Sequence, residues 1–176
     1  MSWKAWLGRL RAKPPAKRKA EGYWALIEPY WDAVSIYDGP EVFERQFSVL
    51  PVTARHLFAA HWLVSEVCNG GFSQLFFNST GVLAPEAVEG LEQIGLPGMA
   101  AISEEAMAWF GGDYPRDRDE RCERLAAFEE AHGEDHGPDC PVCSIDDRFY
   151  TLLSTENGGF DEAANLFAKQ NDQLNR

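Results

Sequence analysis

The residues best suited to chemistry lie in one short segment, residues 132–143. It contains His132, His136, Cys140 and Cys143, and the two cysteines form a C-x-x-C pair. Two thiolates and two imidazoles complete a tetrahedral zinc site, and C-x-x-C spacing lets both sulfurs reach one ion. Four protein ligands leave no position for a reactive water, so such a zinc would be structural. The segment therefore indicates a structural zinc as the one candidate cofactor; the alternative is an acidic, solvent-exposed loop with two reduced thiols.

No pattern in the chain indicates catalysis. His61 and Cys68 share a helical row, but a spacing of seven residues separates them by about 10 Å along the helix axis, too far for direct proton transfer. The chain has no phosphate-cradling glycine loop, no G-x-S-x-G and no H-E-x-x-H. We expect a protein that is not an enzyme, with His61 as a hydrogen-bonded core histidine and Cys68 and Cys122 as core cysteines.

The elements that position these residues are predicted to be helices. Apolar side chains recur at helical spacing over most of residues 21–176, and no segment shows a convincing two-residue alternation. The most apolar helix is predicted to begin at Pro51, run to Cys68 and stop at residues 69–71, where two glycines follow an asparagine. Further helices are predicted over 97–110 and 117–131. We therefore expect an all-α fold with a single globular domain over residues 21–176.

Charge divides the chain into two parts. The 176 residues have a net charge of -12, yet residues 1–20 contain seven basic side chains and no acid, which leaves 28 acids and 9 bases in residues 21–176. Such an acidic body repels phosphates, so we expect no direct binding of nucleic acid by it. A basic protein partner, itself a DNA-binding protein, suits this charge.

The basic leader, residues 1–20, has a pattern of its own. Trp3, Trp6, Leu7 and Leu10 recur at helical spacing, and a pair of prolines at 14 and 15 ends any helix. A short basic amphipathic helix makes weak contact with an anionic membrane surface. Two alternatives are a frayed tail and a helix docked on the acidic body.

Nothing in the sequence indicates insertion into a membrane or export. The apolar runs are too short to span a bilayer, and the basic leader lacks the apolar core and cleavage site of a secretory signal. We expect a cytoplasmic protein with reduced cysteines. The oligomeric state is left open, a dimer included.

A second segment, residues 69–81, has an unusual composition. Two glycines that permit a sharp reversal are followed by a dense group of phenylalanines, among which Gln74 and Asn78 are spaced i, i+4. Amides in such surroundings either bind a ligand or satisfy nearby backbone groups. We favour the structural role, because buried polar groups need hydrogen-bond partners.

This segment resembles the hallmark of the bacterial DNA-mimic protein family, in a pattern similar to N-G-G-F-x-Q-[YL]-F-x-N-[ST]-x-G. The matching residues are Asn69, Gly70, Gly71, Phe72, Gln74, Phe76, Asn78 and Gly81. The resemblance extends over about residues 21–171. It implies an all-helical acidic domain that presents carboxylates in the manner of duplex phosphates and occupies the DNA-binding face of a transcription factor.

Mimicry of this kind requires rows of exposed acids. The candidate partner-binding acids are Glu104, Glu105, Asp113, Asp117, Asp119, Glu120 and Glu123, with a further row at Glu86, Glu89 and Glu92. Four arginines, at 116, 118, 121 and 124, alternate with the acids of residues 113–123. We expect these arginines to pair with the acids and cancel part of their field.

Two other functions fit the same residues. One is a zinc-stabilised interaction or scaffold module without mimicry, built on residues 132–143. The other is an inhibitor or immunity protein for a cationic toxin. Both are non-enzymatic. The first differs from DNA mimicry in requiring a metal, and the second differs in the partner that is bound.

The zinc hypothesis predicts one zinc ion per chain. Native mass spectrometry of the intact protein should show the mass of one bound zinc, and a chelator should lower the melting temperature, since a structural zinc stabilises only the folded state. A variant with Cys140→Ser and Cys143→Ser should show neither effect. A metal-free native mass would contradict the hypothesis.

Overall fold

The fold is built from eight α-helices, with no strand in the part of the chain that the structure, a computed structural model, describes: residues 21–132 and 140–174. The helices are α1 (Trp24–Ile27), α2 (Pro40–Phe47), α3 (Val52–Phe77), α4 (Ala84–Ile94), α5 (Pro97–Met107), α6 (Arg118–His132), α7 (Pro141–Thr155) and α8 (Phe160–Leu174). Short 3-10 helices cover Glu28–Tyr30, Ser79–Leu83, Ala108–Phe110 and Glu156–Gly158. The predicted all-α fold is confirmed. The basic leader lies outside the described residues.

Helix α3 is the centre of the core. The helix begins at Val52, one residue after the predicted start, with Pro51 at the N-cap position. The apolar side chains of α3 point in almost every direction, with Leu57, Phe58, Leu63 and Val67 fully buried. It packs most extensively against α4 and also contacts α1, α6, α7 and α8. A helix that is apolar on nearly all sides has to be surrounded, and the other helices supply that cover. Within the described ranges, no helix is both long and apolar enough to cross a membrane.

The predicted stop at residues 69–71 is a break within α3. The backbone leaves helical geometry at Gly70 (φ -169°, ψ 32°) and Gly71 (φ 73°, ψ -175°) and resumes it for the turn that ends at Phe77. The positive φ of Gly71 favours glycine, and a Cβ there would lie 2.1 Å from Oδ2 of Asp146. Asp146 of α7 accepts a hydrogen bond from the Phe72 N–H at 2.9 Å, so it caps the restarted helix.

One of the two expected core cysteines is exposed, and the other is half-buried. Cys68 is exposed, because the last turn before the break, residues 68–70, faces solvent. Cys122 is half-buried, and its thiol donates to the Phe77 carbonyl at 3.5 Å. The prediction of a core cysteine is therefore wrong for Cys68.

The expectation for His61 is confirmed. Its ring is partly buried and shares a 3.0 Å hydrogen bond between Nδ1 and the Tyr23 hydroxyl. Its ring also contacts those of Trp24 and Trp31, and burial lowers the pKa of His61. This ring thus fixes the start of the described chain onto α3.

The break in α3 should make stability depend on the ionisation of Asp146. Burial raises the pKa of this carboxyl, although the Phe72 N–H opposes the shift. Ionising Asp146 therefore lowers the free energy of unfolding. This loss is absent below the ordinary pKa of 3.8 and develops as pH rises through the raised pKa. Asp146→Asn keeps an acceptor without the charge. Its free energy of unfolding, relative to the wild type, should therefore be higher at about pH 7 than at about pH 3.5. Urea titrations of both proteins at these two pH values measure the difference.

Two variants serve as comparisons for Asp146→Asn. Asp146→Ala leaves the Phe72 N–H without its acceptor and should lose about 1–2 kcal/mol at both pH values. Asp32→Asn removes one exposed carboxylate outside α7 and serves as the control for the loss of a single charge. A difference between the Asp146→Asn variant and the wild type that is the same at both pH values would contradict the argument.

Candidate functional site

The polar residues of segment 69–81 converge on one carboxylate, Glu66. Its Oε2 accepts from Gln74 Nε2 and Asn78 Nδ2, each at 3.0 Å, and its Oε1 accepts from Thr80 Oγ1 at 2.7 Å. The favoured structural role of the two amides is supported, with a side-chain carboxylate as their partner. Sequence reasoning missed Glu66, because only the break in α3 brings the turn before it and the turn after it together.

The end of α3 is capped by arginines of α6. Arg121 is fully buried and donates from Nε to the Phe76 carbonyl at 2.7 Å and from Nη2 to the Asn78 carbonyl at 2.8 Å. Arg118 donates from Nε to the Phe77 carbonyl at 3.0 Å. The last carbonyls of a helix have no partner within it and carry partial negative charge, so two guanidinium groups suit this position.

Gly81 leaves space for the buried guanidinium. A Cβ at this position would lie 2.6 Å from Arg121 Nε and 2.8 Å from the Leu75 carbonyl oxygen. The Tyr114 hydroxyl donates to the Gly81 carbonyl at 2.8 Å. Burial lowers the pKa of Arg121, whose Nη1 also donates to the Arg116 carbonyl at 2.9 Å. The end of segment 69–81 thus forms the binding site for the buried Arg121 side chain of α6.

The expected pairing of the four arginines with the neighbouring acids is wrong for three of them. Arg116 forms a bidentate pair with Glu86 of α4, with N–O distances of 2.7 and 3.0 Å. Arg118 lies over the Phe77 ring, 5.3 Å from its centroid, besides its bond to the Phe77 carbonyl. Arg124 alone pairs as expected, with Glu120 at 2.5 Å.

The common reason is that these arginines join α6 and the chain before it to the rest of the fold. Arg116 also donates to the Val82 carbonyl at 3.1 Å, and Arg124 to the Phe110 and Asp113 carbonyls at 3.4 and 3.3 Å. Backbone carbonyls of other elements therefore take most of their donors. A sign of this was present in the sequence, because Arg121 falls on the same helical face as Leu125 and Phe128.

The candidate acids of α6 and of the segment before it remain on the surface. Asp113, Asp119, Glu120 and Glu123 are all exposed, and of these only Glu120 has a salt bridge within the described part of the chain. Asp117 is exposed and caps α6, since its Oδ1 accepts from the N–H groups of residues 119 and 120 at 3.0 and 3.1 Å. The start of α6 therefore presents carboxylates whose field is cancelled less than the sequence suggested.

Glu104 and Glu105 lie on a different helix, α5. Both are exposed, and Glu105 forms a bidentate pair with Arg148 of α7, with distances of 2.8 and 2.9 Å. The Arg148 hydrogen bond lowers the pKa of Glu105. Glu105 is thus a member of an ion pair at the surface, whereas Glu104 has no salt bridge among the described residues.

The proposed zinc ligands are only partly described. His136 and the His132 side chain lie outside the described residues. Cys140 occupies the N-cap position of α7, and its Sγ accepts from the Cys143 N–H at 3.4 Å. Among the residues that the structure describes, no group of three His, Cys, Asp or Glu side chains is placed to hold a metal. The zinc site stays a prediction.

Fold and surface together define an all-helical protein whose sixth helix exposes a set of acids. Comparison with protein families places residues 48–172 within the family described as DMP19-like protein. The chain therefore belongs to the DMP19-like family, which agrees with the resemblance carried by segment 69–81. No match was found among curated proteins or solved structures.

Removing the buried guanidinium should destabilise the protein strongly. Arg121→Met fills the space with apolar atoms but leaves the Phe76 and Asn78 carbonyls without donors, so we expect a loss of about 3 kcal/mol or more in the free energy of unfolding. Arg118→Met removes an exposed guanidinium of the same helix and should cost less than about 1 kcal/mol. Urea unfolding of both variants tests this. Equal losses would show that Arg121 has no special role.

Proposed function

We propose that this protein is a non-enzymatic acidic binding protein that docks on a basic DNA-binding protein, such as a transcription factor, as a mimic of duplex DNA. Membership of the DMP19-like family supports this proposal. The acidic composition of residues 21–176 suits a cationic partner and opposes direct binding to nucleic acid. A protein docked in this way competes with DNA and so modulates transcription.

The observation that carries the proposal is the separation of charge on α6. Arg118 and Arg121 donate to backbone carbonyls of other segments, and Arg124 pairs with Glu120. Asp113 before the helix and Asp119 and Glu123 on it stand on the surface without a salt bridge in the described ranges. Unpaired surface carboxylates keep their field, which steers basic partners and raises their association rate.

The acids of α6 share one face of the helix, as a surface that binds a basic partner requires. Asp119 and Glu123 are one helical turn apart, about 6 Å along the axis, and Glu130 continues the same face two turns later. Duplex DNA has a phosphate about every 3.4 Å of axis along each strand. The carboxylates are therefore spaced about twofold and threefold more widely along the axis than the phosphates of one strand, so they offer ion pairs to lysine and arginine side chains without reproducing the phosphate repeat.

A displacement experiment tests the proposal. DNA-binding proteins from a lysate of the source organism are retained on a duplex DNA resin, and the purified protein is then added at increasing concentration. A DNA mimic should release its partner from the resin. The triple variant Asp113→Asn, Asp119→Asn, Glu123→Gln should need about tenfold more protein for the same release, because three surface ion pairs are lost.

The control variant changes the charge equally at another place. Glu28→Gln, Asp32→Asn, Asp38→Asn neutralises three exposed acids outside α6, so its net charge equals that of the first variant. It should release the partner as well as the wild type does. Release that is equally weak in both variants would indicate a general charge effect, and no release by the wild type would contradict DNA mimicry.

A further inference from the structure

A groove at the N-terminal end of α3, away from segment 69–81, has no role in the proposed function. It has a volume of about 330 Å³ and lies between α2, the first turns of α3 and α4. Carboxylates of Glu44, Glu86 and Glu89 line it, together with the aromatic ring of Phe47. Arg116 is paired with Glu86 at 2.7 Å and lies 3.9 Å from Glu44, whose side chain is 60% exposed, so Glu89 is the acid of the three without a salt bridge among the described residues. The groove therefore has an acidic wall.

An apolar shoulder borders the same groove. Val52, which lines it, is 56% exposed, and Val49 in the adjoining loop is 79% exposed. Exposed aliphatic side chains next to an acidic wall favour an occupant that is apolar on one side and basic on the other.

The groove also contains an unsatisfied donor. Arg55 lines it, and its buried Nε has no hydrogen-bond partner among the described residues. Buried donors are normally satisfied, and an acceptor oxygen in the groove would satisfy this one if the guanidinium turned toward it. A peptide segment brings basic side chains, apolar side chains and backbone carbonyls together, which neither a simple cation nor an apolar ligand does.

The basic leader has this chemistry. It combines seven basic side chains with apolar residues at helical spacing, Trp3, Trp6, Leu7 and Leu10. The leader joins the described chain close to the groove. Tyr23, near the start of the described chain, is bound to His61 of α3. His56, which lines the groove, lies five residues before His61, about 7.5 Å along the helix axis. The ten residues 11–20 span up to about 35 Å when extended, which is ample for this separation.

We propose that the basic leader, residues 1–20, docks in this groove of its own chain, with its apolar side chains on Val49 and Val52 and its basic side chains against Glu44 and Glu89. Docking covers the apolar shoulder and neutralises the acidic wall. A basic partner that reaches the groove must then displace the leader. The proposal rests on the groove and the leader alone, so it stands or falls independently of DNA mimicry.

Zero-length crosslinking of the full chain tests this directly. A carbodiimide joins a lysine amine to a touching carboxylate as an amide, while the reagent takes up the water lost and becomes a urea. Four of the five lysines belong to the leader (Lys4, Lys13, Lys17 and Lys19), and the fifth is Lys169. Peptide mass spectrometry therefore reports where the leader lies.

Leader lysines should crosslink to Glu44, Glu86 or Glu89 of the same chain. These links should exceed those to Asp119 and Glu123 by about tenfold, because partial burial of two valines favours the groove. A mixture of unlabelled and ¹⁵N-labelled protein separates links within a chain from links between chains. The tether makes the expected links independent of protein concentration, and high salt should reduce them.

A matched pair of variants separates docking from simple charge attraction. Val49→Ser with Val52→Ser keeps every carboxylate and every lysine, so its groove links should fall about tenfold only if the apolar shoulder is used. Tyr37→Ser, at a side chain that is 75% exposed elsewhere, should leave them unchanged. Circular dichroism confirms that both variants are folded.

Three results would overturn the proposal. One is an even spread of leader crosslinks over the exposed acids. Another is a majority of links between labelled and unlabelled chains, which would indicate a second copy as the occupant. The third is the absence of groove links in a protein that sediments with phosphatidylserine vesicles, which would assign the leader to a membrane surface.

Discussion

The charged side chain of Arg121 is buried in the core of this protein, where backbone carbonyls accept its hydrogen bonds. The guanidinium binds the Phe76 and Asn78 carbonyls at the end of α3, where the helix has unpaired acceptors and a partial negative charge. A buried charge without such partners would cost several kcal/mol. The path of residues 76–81 and the position of α6 both follow from this contact, since Gly81 must leave space for the guanidinium and α6 must present it.

The break in α3 is held by two carboxylates in a comparable way. Glu66, before the break, collects three donors from the residues after it, and Asp146 of α7 caps the restarted turn at Phe72. Each carboxylate joins parts of the chain that a straight helix would keep apart. The signature segment 69–81 therefore has a structural role, and its two amides bind a carboxylate of the same chain.

The same pairing of charges with distant partners decides what the surface presents. Arginines that the sequence places among acids are drawn toward carbonyls and toward Glu86 of α4, so the carboxylates at the start of α6 keep most of their field. A partner of the proposed kind would therefore meet more unpaired acids here than the sequence suggested, with the exposed Arg118 among them. This links the internal packing to the proposed binding of a basic protein, because the residues that hold α6 in place are also the ones that would have masked its acids.

The sequence alone determined the helical class, the position of the break at residues 69–71 and the separation of a basic leader from an acidic body. These depend on local properties: apolar spacing, glycine backbone freedom and the count of charges. Segment 69–81 also indicated the family, because its residue types are unusual in combination. Tertiary structure alone decided that Arg121 is buried, that Glu66 is the common acceptor and that Cys68 is exposed. Each of these depends on which groups are brought together from distant parts of the chain, and a charged side chain does not show in the sequence whether its partner will be a neighbouring acid or the carbonyls of another helix.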